Sequence, residues 1–235
     1  MDLEKIKTKL KNNYYIKEIY NNNGLIIFSK EKYNKDEKKL FDKYILNNKQ
    51  LKNFNIENEP HSRYLYIEEI SDNKLKRIGN ITFVMLNPSY TNEIYSDPTL
   101  YKVRKRASII KHQNGVGYKY FTIINLFSYR HHKPSELKNI IFNNKNIKTN
   151  YNEIDNLEFI KNYLNINKDD KDFIIAFGNS KIFKDKKVEL LNLLKQQNKN
   201  LITFYPNGKP YHINCGKKVY DNNKQLHLYP LKYPI

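Results

Sequence analysis

The stretch Phe83-Val84-Met85-Leu86-Asn87-Pro88-Ser89 decides how this chain is read. An apolar run of strand length stops at an Asn, and the Pro behind it has no N–H with which a ladder could continue. A near-continuous apolar run is what a strand buried on both faces looks like, as in a parallel sheet covered by helices. Polar groups that follow such a strand stand on the carboxyl edge of the sheet, where open α/β sheets hold their ligands. Eight residues on comes Asp97-Pro98-Thr99, in which Asp97 can cap a helix that Pro98 opens.

Outward from that stretch the pattern alternates. A helix is predicted from residue 97 to about Gln113, stopped by Gly115 and Gly117, then a buried strand over Tyr118–Asn125. Helices follow from Pro134 and over 152–165, a strand over Asp172–Phe177, a long helix over 180–197 and a last strand over Leu201–Tyr205. Strand–helix alternation implies parallel pairing and right-handed crossovers, hence a three-layer α/β/α sandwich with a mostly parallel central sheet. On the amino-terminal side, Arg63–Ser71 and Lys74–Leu86 read as a hairpin around Asp72-Asn73. Residues 1–60 read as a helix and hairpin extension, with a charged helix over 2–12. A hairpin turns there on Asn21-Asn22-Asn23-Gly24, a helix covers 35–50, and the linker 51–60 joins the extension to the main domain at 61–235.

The 235 residues suffice for one domain with a sizeable core. Hydrophobic content is 39%, and the 20 Tyr and 12 Phe share the packing. A formal charge of +18, from 42 basic and 24 acidic residues, favours a polyanionic partner, most simply DNA. The excess is nearly all Lys, in a chain also crowded with Asn, Ile and Tyr, so biased coding competes as its source. A lone Cys215 excludes an internal disulfide and a Cys-rich zinc site. No stretch approaches membrane-spanning length and no secretory leader opens the chain, so a cytoplasmic protein is expected. His131 and His132 are adjacent, so their side chains diverge, and no third ligand is near; neither a metal nor a cofactor is expected.

Four segments fall where strands should end: Asn87-Pro88-Ser89, Asn125 to Arg130, Gly178-Asn179-Ser180, and Asn207 to His212. In a doubly wound sheet they share one edge, so residues far apart in the chain converge on one cleft. Taken together, Met-Leu-Asn-Pro-Ser at 85–89, Asp-Pro-Thr at 97–99, Asn-Leu-Phe-x-Tyr-Arg at 125–130, Ala-x-Gly at 176–178 and Gly-x-Pro-x-His at 208–212 resemble the domain of unknown function 1643 family of bacteria and phages. More distantly, the layout is similar to that of uracil-DNA glycosylases. That likeness implies a glycosylase-like sandwich, a residue after the first buried strand that positions or activates water, and a late His-bearing loop that stabilises the leaving base.

Cleavage of an N-glycosidic bond needs a positioned water, a donor to the departing base, and stacking on an extruded nucleotide. Asn87 would place the water, with Asp97 as the alternative activator, and His212 would donate to the base. Pro88, Ser89, Asn125, Gly178 and Asn179 would line the substrate, with Tyr90, Phe127 or Tyr129 stacking on it. Arg104, Arg106, Arg130, His131, Lys133 and Lys209 would contact phosphates. The leading expectation is therefore an enzyme that excises a modified or foreign base from DNA. The alternatives are an enzyme on free nucleotides or nucleosides and a non-catalytic nucleic-acid-binding module.

Overall fold

The computed structural model describes residues 1–19, 23–30, 32, 59–70, 76–89, 98–112, 114–131, 137–138, 156–215 and 226–232. Among them the elements run α1 (Leu3–Leu10), β1 (Tyr15–Ile19), β2 (Gly24–Phe28), β3 (Arg63–Glu69), β4 (Arg77–Met85), α2 (Pro98–Ile109) and β5 (Gly117–Asn125). They continue with α3 (Leu157–Ile166), β6 (Asp172–Ile175), α4 (Lys184–Gln196), β7 (Asn200–Thr203) and β8 (Tyr229–Pro230). The expected helices at 35–50 and from Pro134 fall wholly or largely outside the described residues, as do most of the linker 51–60 and the Asp72-Asn73 turn.

The apolar run centred on Val84 becomes β4, and residues 80–86 are buried in unbroken succession. It pairs in parallel with β5 on one side and β6 on the other, and β7 extends the parallel set. Strand order is β1-β2-β3-β5-β4-β6-β7-β8 in a single eight-stranded sheet. The expectation of a mostly parallel sheet is corrected: the sheet is mixed, with three parallel pairings in the centre and four antiparallel ones at its flanks. The hairpin of β1 and β2 supplies two of these by docking on β3.

A second correction concerns β3 and β4, which do not pair. β5 lies between them, antiparallel to β3 and parallel to β4. Both β4 and β5 are buried on both faces over most of their length and take central places, which leaves β3 outside them. Close packing also sets the β2–β3 contact. A Cβ at Gly24 would collide with the Ile67 carbonyl, so only glycine fits there.

Two hydrophobic clusters lie on the two faces of the sheet. One gathers Ile6 and Leu10 of α1, Phe159, Ile160, Tyr163 and Leu164 of α3, and Leu190, Leu191 and Leu194 of α4. The other is built on Leu100, Val103 and Ala107 of α2 against Phe83, Met85, Phe121 and Ile123. α2 ends four residues before Gln113, where the Arg77 guanidinium takes the Ser108 carbonyl at 3.0 Å. α4 starts later than residue 180 because Phe183, its N-cap, holds φ at 56° while its ring packs on Phe127. No helix among the described residues is long and apolar enough to cross a membrane.

A polar knot crosses the sheet interior. Asn80 donates to Asp170 Oδ2 at 2.9 Å and to Thr82 Oγ1 at 3.1 Å, and its Oδ1 accepts from Thr122 Oγ1 at 2.9 Å. Tyr163 of α3 adds a bond to Asp170 at 3.2 Å. A buried network with one member removed leaves its partners unsatisfied. Asn80→Ala should therefore lower the unfolding free energy by about 1–3 kcal/mol, read from urea denaturation midpoints.

Candidate functional site at the carboxyl edge

The sense of winding reverses between β4 and β6. The chain leaves β4 through α2 on one face to reach β5, and leaves β6 through α4 on the other face to reach β7. Connections that part to opposite faces leave a crevice beyond the strand ends, the position at which open α/β sheets take ligands. Asn87 follows β4 there, and Gly178 follows β6. The ladder runs on past Val84↔Ile175, with the Ala176 N–H on the Val84 carbonyl at 2.8 Å, which brings Asn87 level with Gly178.

Asn87 is half-buried and its side-chain orientation is fixed. Its Nδ2 donates to the carbonyls of His131 at 2.6 Å and Pro88 at 3.2 Å. Carbonyls only accept, so the amide nitrogen must face them, and Oδ1 takes no hydrogen bond among the described residues. The same turn is closed by the His131 N–H on the Pro88 carbonyl at 2.8 Å. Pro88 is thus buried and Ser89 half-buried.

His212 arrives from the late segment. Gly178 has φ at +87°, and a Cβ placed on it would lie 4.0 Å from the His212 Cβ. His212 Nδ1 accepts the Asn214 N–H at 3.1 Å, which fixes the neutral ring as the Nε2-protonated tautomer. Asn214 Nδ2 donates to Thr99 Oγ1 at 2.6 Å and ties this segment to the first turn of α2. Asn125 closes β5 opposite Met85; it is 1% exposed and its Nδ2 is buried without a partner. Asn214 Oδ1 is likewise buried and unpartnered, and the Tyr205 hydroxyl, which has Arg106 and Cys215 beside it, is pushed up to about 12 chiefly by burial.

Other expected residues sit elsewhere. Phe127 and Tyr129 are fully buried, one against Phe183 and the other against His61 at 5.9 Å, so neither is a stacking platform in this form. Arg130 is fully buried with its guanidinium on Glu59 at 3.0 Å and the Pro60 carbonyl at 2.9 Å, so it braces two loops and does not clamp a phosphate. Arg104 grips Glu68 at 2.8 Å and the Tyr66 hydroxyl at 3.0 Å. Arg106 is buried with its guanidinium 4.6 Å from the Phe204 ring, and His131 is buried too. The phosphate role expected of Arg106, Arg130 and His131 is corrected on their burial, whereas Arg104 is half-buried and held by Glu68. Lys209 and Asn179 are exposed, while Asp97, Tyr90 and Lys133 lie outside the described residues.

One residue was missed. Lys187 is fully buried, with Nζ on the Ser180 carbonyl at 2.9 Å, on the Gly178 carbonyl at 3.3 Å, and 5.2 Å from the Phe177 ring. Burial lowers its pKa to about 8. Its only sequence signal is its place in the apolar stripe Lys187, Leu190, Leu191, Leu194 of α4. A cavity of about 1300 Å³ opens at the opposite, amino edge, lined in part by His112, Tyr118, Asp172 and Asn200. Asp172 is already bonded by Tyr118 at 2.6 Å and Asn200 at 2.9 Å. The unpartnered groups cluster instead about the carboxyl edge, which we take as the candidate site.

Two measurements follow from these contacts. The folded-state pKa of Lys187 lies below its unfolded value, so the unfolded chain binds the extra proton between about pH 8 and 10.5, and stability rises with pH across that window. Wild type should gain urea stability relative to Lys187→Met over the same window. Arg130→Ala leaves Glu59 without its cation and should cost about 3 kcal/mol of stability, seen as a lowered melting temperature.

The model of a family described as a protein of unknown function (DUF1643) matches residues 63–212. Neither a curated protein nor a solved structure matches the chain. The matched span holds β3 to β7 and each of the strand-end segments Asn87-Pro88-Ser89, Asn125 to Arg130, Gly178-Asn179-Ser180 and Asn207 to His212. This chain belongs to that DUF1643 family.

Proposed function

We propose that this protein is a DNA glycosylase-like hydrolase that cleaves the N-glycosidic bond of a modified or non-standard base in DNA. The observation that carries the reading is that Asn87 and His212 both come to Gly178 at the winding reversal, Asn87 by strand register and His212 with its Cβ 4.0 Å from a Cβ placed on Gly178. Asn87 is anchored through Nδ2, and its Oδ1 is left to hold a water by its hydrogen. The His212 ring, held through Nδ1, carries its proton on Nε2 and can donate to a leaving base. Water oxygen adds at C1′ as the C–N bond breaks, the bonding electrons leave with the base, and the water's proton ends on that base. Asn125, with a buried and unpartnered Nδ2 beside β4, would donate to an acceptor on the base edge. Half-buried Tyr211, next to His212, takes over the stacking role from the buried rings of Phe127 and Tyr129. Phosphate contact passes from the buried Arg106 and Arg130 to exposed lysines such as Lys181, Lys184 and Lys209.

Incubation with a panel of base-modified and phage DNAs should release free base, detected by mass spectrometry, and leave alkali-labile sites. Asn87→Ala should reduce release about a hundredfold while DNA affinity holds. Release of base from mononucleotides but not from DNA would move the activity to free nucleotides. Salt-dependent DNA binding with no base released from any substrate would make the protein a binding module.

A further inference from the structure

Lys187 is a buried cation with no carboxylate. Asp185 and Glu189 share its helix, yet among the described residues Glu189 pairs with Lys186 at 2.9 Å and no acid pairs with Lys187. Burial of a charge without a counter-charge is costly, and an anion brought near it from outside would offset part of that cost. The side chain is spent on two main-chain carbonyls, those of Gly178 and Ser180.

Those two bonds orient the loop. In a trans peptide the carbonyl and the following N–H point in opposite directions, so a Gly178 carbonyl turned in toward Lys187 turns the Asn179 N–H out, and the Ser180 carbonyl does the same for Lys181. Neither outward N–H has a hydrogen-bond partner among the described residues. The left-handed φ of Gly178, +87°, belongs to the same turn and sets it against His212. Outward N–H groups gathered in one turn suit an anion, and here a cation lies behind the two peptides that carry them. Among the described residues from 179 to 185 the charges are the exposed Lys181 and Lys184 and one acid, Asp185.

We propose that the Gly178–Lys181 loop is a phosphate subsite, with the N–H groups of Asn179 and Lys181 as its donors and Lys187 as the positioning residue behind it. The inference rests on reading this edge as the ligand crevice, but it does not need glycosidic chemistry. Lys187 acts through the loop and does not touch the anion, which stays separated from Nζ by one peptide layer. At a separation of roughly 7 Å and an effective dielectric near 20, the cation would contribute enough to change phosphate affinity about tenfold or more.

Inorganic phosphate titrated into the ¹⁵N-labelled full chain should shift the amide signals of Asn179 and Lys181 in a saturable way. Lys187→Met should weaken that binding about tenfold while its melting temperature stays level or rises, the opposite of what a merely structural role gives. If the Met variant does not fold, Lys187→Gln keeps N–H donors for the carbonyls without the charge and carries the same comparison. Shifts confined to other lysines, or equal affinity in the uncharged variant, overturn the subsite. Phosphate binding without base release would leave this inference standing and remove the glycosylase reading, and base release without phosphate shifts would do the reverse.

Discussion

The structure depends on one strand having parallel neighbours on both sides. β4 cannot reach β5 or β6 by a hairpin, so each pairing demands a long crossover, and each crossover must bury a helix against a face of the sheet. α2, between β4 and β5, and α3, between β5 and β6, are thereby committed to opposite faces, and α4 joins α3 on its face as the chain goes on from β6 to β7. The knot of Asn80, Thr82, Thr122 and Asp170 holds the register of this centre. A slip by one residue would put polar groups of β4 and β5 into apolar layers with no partners, which the buried bonds do not tolerate.

How far the sequence disclosed this varies with the range of the interaction. The β4 run and the Asn-Gly hairpin are local patterns, and both are found where they were expected. A pairing choice is not local. Asp72-Asn73 looks like a hairpin turn, but a turn signal carries no information about a third strand that competes for the same edge, and β5 takes that place. The arginines misled for a similar reason. A guanidinium fork suits a phosphate and a carboxylate equally, and the acids that claim Arg104 and Arg130 lie 36 and 71 residues away in the chain.

The strand-end residues were more legible because topology, not partner choice, decides where they go. Asn87 and Gly178 leave the sheet at the same level because β4 and β6 are neighbours, and the late segment sets His212 against Gly178. Lys187 shows the converse. A lysine in a leucine stripe breaks the helical pattern, but charged residues are so common in this chain that one more is not conspicuous without its burial in view.

The contacts around Arg130 bear on what counts as a unit of this protein. Ser62 bridges to Tyr129, the Arg130 N–H meets the His61 carbonyl at 2.9 Å, and the Arg130 side chain reaches Glu59. β2 meanwhile covers the outer edge of β3. The family match starts at residue 63, but a chain trimmed to that point would bare a strand edge and take Glu59 from a buried guanidinium. The unit that folds thus reaches further towards the amino terminus than the matched span.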